Sequence, residues 1–254
     1  MVKIAQITDT HLLADREDDM RGVKTWYSLR KVLGEVRKCN PDLLILTGDL
    51  THEGEKEAYQ HLIELIDQQE TPAYWLPGNH DNFDLMQSEL SSEYISDRKC
   101  IDTENWRVIL LNSCLDNAKY GEGTFAQTEL DFLEHQLAEN KKESVAIAFH
   151  HQPIDIGIDW IQQMSVLNSD EFHQIISKYP QVKTVFFGHI HHRVDIERNG
   201  VYFFGTPSTC TQVTPAGKEL VEGKIQNWEQ PGFRIIELKD DGEVDTEVHR
   251  IHWF

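Results

Sequence analysis

An α/β fold is what this sequence predicts, and three observations predict it. Short apolar runs alternate with amphipathic segments through the first three quarters of the chain. Polar clusters rich in Asp and His follow those runs directly. The 254 residues are 39% hydrophobic and 26% charged, which is enough apolar material for a sizeable core and ordinary charge for a folded domain.

Taken in order, residues 2–7, 43–46, 73–76, 108–111, 145–149 and 185–187 are short and dominated by Val, Ile, Leu and Phe, so they read as buried strands. Between them, Leu29/Val32/Leu33/Val36, Tyr59/Leu62/Ile63/Ile66 and Leu130/Leu133/Leu137 repeat at helical spacing. Ser169-Asp170 ahead of Phe172, Ile175 and Ile176 reads as a helix start. Residues 201–204, 233–238 and 243–250 read as further strands, with Asp240-Asp241-Gly242 turning the last pair into a hairpin. Residues 211–230, with scattered Gly, Pro and charge, read as an extended loop. No repeat, low-complexity tract or linker divides the chain, so residues 1–254 are expected to form one domain.

Composition excludes several functions. The chain has 24 Lys+Arg against 43 Asp+Glu, a net charge of −19, which argues against gripping a nucleic acid polymer through a broad basic surface. Cys39, Cys100, Cys114 and Cys210 are scattered without a CxxC pair, pointing to a reducing compartment. The first residues turn polar too soon for a signal peptide, and no apolar run approaches membrane-spanning length. A cytoplasmic protein without a membrane partner is expected; the oligomeric state stays open.

Five clusters sit at or just after the carboxyl ends of expected strands: Asp9-Thr10-His11, Gly48-Asp49, Gly78-Asn79-His80-Asp81, His150-His151 and Gly188-His189-Ile190-His191. In open α/β sheets, ligands bind where such loops converge. Carboxylate and imidazole donors without thiolate suit Mn²⁺, Fe²⁺, Co²⁺ or Zn²⁺. Two such cations against Asp9 and Asp49 would let an acidic protein receive an anion. The glycines allow sharp turns out of the strands. Taken singly, an Asp-x-His or a Gly-Asp marks a turn more often than a metal site; it is order and joint placement that carry weight. Adjacent strand residues point oppositely, so one of His150 and His151 is expected to be functional and the other structural. The Gly-His-x-His pair is expected on one side of a strand. His52, His61, His135, His173, His192, His249 and His252 are expected on solvated faces or in partial packing.

The ordered set D-x-H, GD, GNHD, H and GHxH, from Asp9 to His191, resembles the signature of calcineurin-like metallophosphoesterases. The resemblance implies a four-layer α/β/β/α sandwich of two mixed β-sheets flanked by helices. It implies two divalent ions per chain, Fe²⁺ or Mn²⁺ foremost and Zn²⁺ or Co²⁺ next. Asp9, His11, Asp49 and His191 would hold one ion; Asp49, Asn79, His150 and His189 would hold the other, with Asp49 shared. His80 would be the catalytic non-ligand histidine facing the leaving group, with Asp81 orienting it. Substrate contacts would fall to His11, Asp49, Asn79, His80 and His191. Residues 6–12, 22–26, 75–81, 189–191, 206–210 and 246–250 resemble in particular the bacterial 3′,5′-cyclic AMP phosphodiesterases, which implies cyclic AMP as substrate and 5′-AMP as product. The alternatives are another phosphodiesterase of the superfamily, acting on a glycerophosphodiester, a nucleotide-sugar diphosphate or a dinucleoside polyphosphate, and a non-catalytic scaffold. Residues 155–168 and 206–230 would carry the choice of substrate, and spacing does not read them.

Overall fold

A computed structural model describes residues 1–140, 142–221 and 224–252. The strands of the first half are β1 (Val2–Ile7), β2 (Leu43–Thr47), β3 (Ala73–Leu76), β4 (Ile95–Ser96), β5 (Cys100–Asp102) and β6 (Trp106–Leu110). Then come β7 (Ser144–Ala148), β8 (Val182–Phe187), β9 (Val194–Arg198), β10 (Val201–Gly205), β11 (Gly232–Leu238) and β12 (Val244–Arg250). The helices are α1 (Thr25–Cys39), α2 (Lys56–Asp67), α3 (Phe83–Glu89), α4 (Gln127–Ala138), the single turn α5 (Asp159–Gln162) and α6 (Ser169–Ile176).

The strands make two mixed six-stranded sheets, ordered β12-β11-β1-β2-β3-β4 and β5-β6-β7-β8-β10-β9. Each has a parallel centre, β1 to β4 in one and β6, β7, β8 and β10 in the other, with antiparallel strands added at one or both edges.

The apolar runs have both faces covered, as their lack of polar alternation requires. From β1 and β2, Val2, Ile4, Leu43 and Ile45 face the second sheet and pack with Val108, Leu110, Ala146, Ala148 and Phe186. Their neighbours Ala5, Ile7, Leu44 and Leu46 face outward, beneath Leu29, Val32, Leu33 and Val36 of α1 and Tyr59, Leu62 and Ile66 of α2. On the far side Ile147, Val185 and Phe187 pack beneath Leu130, Leu133 and Leu137 of α4 and Phe172 and Ile176 of α6. This is the expected four-layer sandwich. Among the described residues no helix is long and apolar enough to cross a membrane.

Two buried polar side chains brace the sheets against each other. Gln6 Nε2 donates to Thr47 Oγ1 (3.0 Å) and Phe187 O (3.1 Å), while its Oε1 accepts from Thr206 Oγ1 (2.5 Å). Arg234 of β11 is fully buried; it donates to Gly205 O (2.8 Å), Val194 O (3.3 Å), Thr206 Oγ1 (3.2 Å) and Thr246 Oγ1 (2.9 Å), and pairs with Asp195 (2.8 Å). Removing that side chain strands two carbonyls and opens a cavity. Arg234→Ala should lower stability by about 3 kcal/mol. For a chain of this size that lowers Tm by roughly 6–12 °C, and an unchanged thermal midpoint would refute the bracing role.

Candidate metal centre

All five Asp/His clusters lie on one rim of the sandwich, because each leaves the carboxyl end of a parallel strand: β1, β2, β3, β7 and β8. The turns are tight. Asp9, His11, Asp49, His189 and His191 all adopt left-handed backbone conformations, with φ of 52°, 43°, 50°, 67° and 49°. Each such residue costs on the order of 1 kcal/mol or more and persists only when its surroundings over-determine it.

Here the determining contacts link one turn to the next. Asp9 N–H donates to Gly48 O and His11 N–H to Asp49 O, both at 3.0 Å. His189 N–H donates to the Asp9 carboxylate (3.0 Å), and His80 N–H to Asp49 Oδ1 (2.9 Å). The close approach needs glycine, as Gly78 and Gly188 show. A Cβ on Gly78 would lie 2.2 Å from Asp49 N and Oδ1, and one on Gly188 would lie 2.0 Å from Thr8 Oγ1 and 2.8 Å from Asp9 Oδ2.

With Oδ1 held by the backbone, Asp49 turns Oδ2 between two groups of imidazoles. It lies 3.7 Å from His11 Nε2 on one side and 3.3 Å from His150 Nε2 on the other. Asp9, His11, Asp49 and His191 offer ligand atoms all within 4.8 Å of one another. Within that group His11 Nε2 is 3.1 Å from His191 Nε2, and His191 Nε2 is 3.3 Å from Asp9 Oδ1. In the second group His150 Nε2 is 3.2 Å from His189 Nδ1. Asn79 Oδ1 is buried without a hydrogen-bond partner, and Asn79 lines the same cavity as Asp49 and His189.

This donor set fits divalent metal ions. His150 Nδ1–H donates to Thr47 O (2.8 Å) and His191 Nδ1–H to Thr211 O (2.7 Å), so each ring directs Nε2 at its neighbours. Fixing one ring nitrogen so that the other ligates is the usual support of a metal-bound histidine. Burial disfavours charge on His11 and His189 and takes both down to about 3, leaving neutral imidazoles. Burial also opposes charge on His150, but the Asp49 and Asp9 carboxylates outweigh it and hold the ring up at about 9. The two buried carboxylates thus favour positive charge at this point.

Three details differ from the sequence reading. Asp81 does not orient His80. Its carboxylate accepts from the N–H groups of Leu50 (3.1 Å), Thr51 (3.0 Å) and Gly78 (3.0 Å) and from the Tyr59 hydroxyl (3.1 Å), tying the Asp49 turn to the Gly78 turn. Burial and the nearby Asp49 raise Asp81 to about 6. The His80 ring is set instead by His52: Nδ1–H donates to His52 O (2.9 Å), and the two rings stack at 4.9 Å and 15°. His52 is thus partly packed, as expected, but packed within the site, and its position three residues after Asp49 is the signal for that. Second, Gly188-His189-Ile190-His191 is a turn, not a strand, and its two rings diverge, one to each group. Third, His150 and His151 lie past the end of β7, so strand alternation does not separate them. Both are buried, with centroids 4.9 Å apart, and His151 takes Ser113 Oγ as partner of Nδ1 (2.8 Å).

The chain belongs to the calcineurin-like phosphoesterase family, whose model matches residues 2–193, and it is a hydrolase able to bind metal ions at this Asp/His cluster. It is 38% identical to the 3′,5′-cyclic adenosine monophosphate phosphodiesterase CpdA of Escherichia coli (strain K12), over 98% of this chain and 90% of that one. A 3′,5′-cyclic-nucleotide phosphodiesterase of Nostoc sp. is 37% identical over 98% and 92% of the two chains. Among solved structures, a dimetal phosphatase from Danio rerio superposes with a TM-score of 0.66 at 15% identity, covering 92% of each chain; at that identity the likeness concerns the fold.

Proposed function

We propose that the protein hydrolyses 3′,5′-cyclic AMP to 5′-AMP and so lowers cyclic AMP in the cytoplasm. One observation carries this reading. The family model stops at residue 193, whereas the cyclic-nucleotide phosphodiesterases match over nearly the whole of both chains, and so extend through most of the carboxyl-terminal region, from which Thr211, Gln212 and Val213 line the cavity at the cluster. We take residues 1–254 as one domain because β11 and β12, beyond residue 193, complete the first sheet.

In this reading Asp9, His11, Asp49 and His191 hold one divalent ion, and Asp49, Asn79, His150 and His189 hold the other, with Fe²⁺ or Mn²⁺ suiting the donors best. When bound, the ions supply a nucleophile from water at neutral pH and neutralise phosphate charge, which also reconciles an anionic substrate with a net charge of −19. His11, Asp49, Asn79 and His191 border the phosphate, where the Asn79 amide meets a non-bridging oxygen. The oxygen of water, giving up a proton to solvent, bonds to phosphorus as the bond to the ribose 3′ oxygen breaks. His80 delivers a proton to that leaving oxygen from Nε2, its ring held by the His52 carbonyl. Asp81 acts at one remove, holding the turns that carry Asp49 and His80.

Elemental analysis after gentle purification should give close to two divalent ions per chain, and strong chelation should abolish turnover. Full activity after chelation would refute the reading.

A further inference from the structure

Of the two stretches whose role spacing does not read, residues 155–168 and 206–230, Trp160 and Met164 of the first and Thr211, Gln212 and Val213 of the second meet in the cavity beside the metal centre. The cavity lined by the Asp/His cluster has a volume of about 150 Å³, below the ~300–1,000 Å³ usual for small-molecule sites. It accommodates a phosphate and adjoining sugar atoms, and the rest of a nucleotide has to lie elsewhere. A second cavity, of about 660 Å³, continues from it, because Arg21, Trp160, Thr211, Gln212 and Val213 line both.

Two of these shared residues are built as though for a ligand. Trp160, in the single turn α5, leaves 55% of its surface exposed. Among the described residues no other ring stacks on its indole. Tryptophan is ordinarily well buried, and an exposed indole at the junction of two cavities is a stacking surface without an occupant in the fold itself. Arg21 sits at the tip of a tight turn in which Met20 and Val23 exchange backbone hydrogen bonds of 2.9 and 3.0 Å. Arg21 and Gly22 both have positive φ, 51° and 83°, the geometry of a type I′ turn. Arginine is disfavoured there, yet in this acidic chain its guanidinium makes no side-chain hydrogen bond or ion pair with any described residue. Leu220 and Ile225, 71% and 58% exposed, line the larger cavity with apolar surface.

We propose that the larger cavity is the nucleobase subsite, with the base stacked on the Trp160 indole and the Arg21 guanidinium as a second planar contact. The inference rests on the nucleotide reading above and adds which residues bind the base. Bases stack on aromatic rings and on guanidinium planes alike.

The test is calorimetric titration of the metal-loaded protein with 5′-AMP and with ribose 5-phosphate, which lacks the base. The wild type should bind 5′-AMP the more tightly. Trp160→Ala should weaken 5′-AMP by at least about fivefold, from the usual strength of base–aromatic stacking, with ribose 5-phosphate little changed. Trp160→Phe should recover most of the loss, and in turnover Trp160→Ala should raise KM for cyclic AMP more than it lowers kcat. If Trp160→Ala keeps the full advantage of 5′-AMP over ribose 5-phosphate, the base lies elsewhere and the subsite is withdrawn while the nucleotide reading stands. If the wild type itself does not distinguish the two ligands, the nucleotide reading fails and takes the subsite with it.

Discussion

Asp49→Ala is expected to lose at least about 10⁴-fold in kcat/KM and to retain well under two metal ions per chain. Asp49 Oδ2 faces both imidazole groups, 3.7 Å from His11 Nε2 and 3.3 Å from His150 Nε2. Its loss therefore weakens both ion sites together. Nucleophile generation and phosphate neutralisation are each worth several kcal/mol, and a tenfold rate change corresponds to about 1.36 kcal/mol, which sets the floor of the estimate. His11→Ala removes a donor from one group only, and should leave the other ion in place. Elemental analysis beside steady-state rates compares the two variants. Two ions and near-normal turnover in Asp49→Ala would mean that this carboxylate is not shared.

His80→Ala is expected to keep both ions yet lose ~10²–10⁴-fold in turnover of cyclic AMP, the range of a general acid. The metal centre survives because the contact His80 makes to Asp49 Oδ1 comes from its backbone N–H, which alanine preserves. The ring contributes Nε2, which has no hydrogen-bond partner among the described residues, while Nδ1 is committed to His52 O. An alkoxide leaves poorly without a proton, whereas p-nitrophenolate leaves as a stable anion. The loss on a p-nitrophenyl phosphodiester should therefore be much smaller, and the gap between the two losses approximates the acid contribution. Equal losses would assign the ring to phosphate charge or ester positioning instead.

Much of the fold is legible in the sequence because its strands are buried on both faces. β1 and β3 coincide with the apolar runs at 2–7 and 73–76, and α1, α2, α4 and α6 with the helical repeats. What escapes is short or polar. β4 is two residues and β5 three; β9, Val-Asp-Ile-Glu-Arg, is a charged edge strand, the form an unprotected edge takes to avoid pairing with another chain. The convergence of the Asp and His residues on one rim follows from their placement after parallel strands. Their orientation does not, because positive φ at Asp9, His11, Asp49, His189 and His191 breaks the alternation rules by which side-chain direction is read. That is why His191 parts from His189, whereas His151 stays beside His150 because both lie past the end of β7. Arg234 was equally hidden, since a cation within an apolar strand does not announce which carbonyls it will meet.

Incubation of the metal-replete protein with cyclic AMP, followed by chromatography of the products, is the decisive measurement. Conversion to 5′-AMP is expected, with no 3′-AMP formed and no conversion after chelation. Absence of cyclic AMP hydrolysis by metal-replete protein that rapidly cleaves a glycerophosphodiester, or release of 3′-AMP, would contradict the proposed hydrolysis.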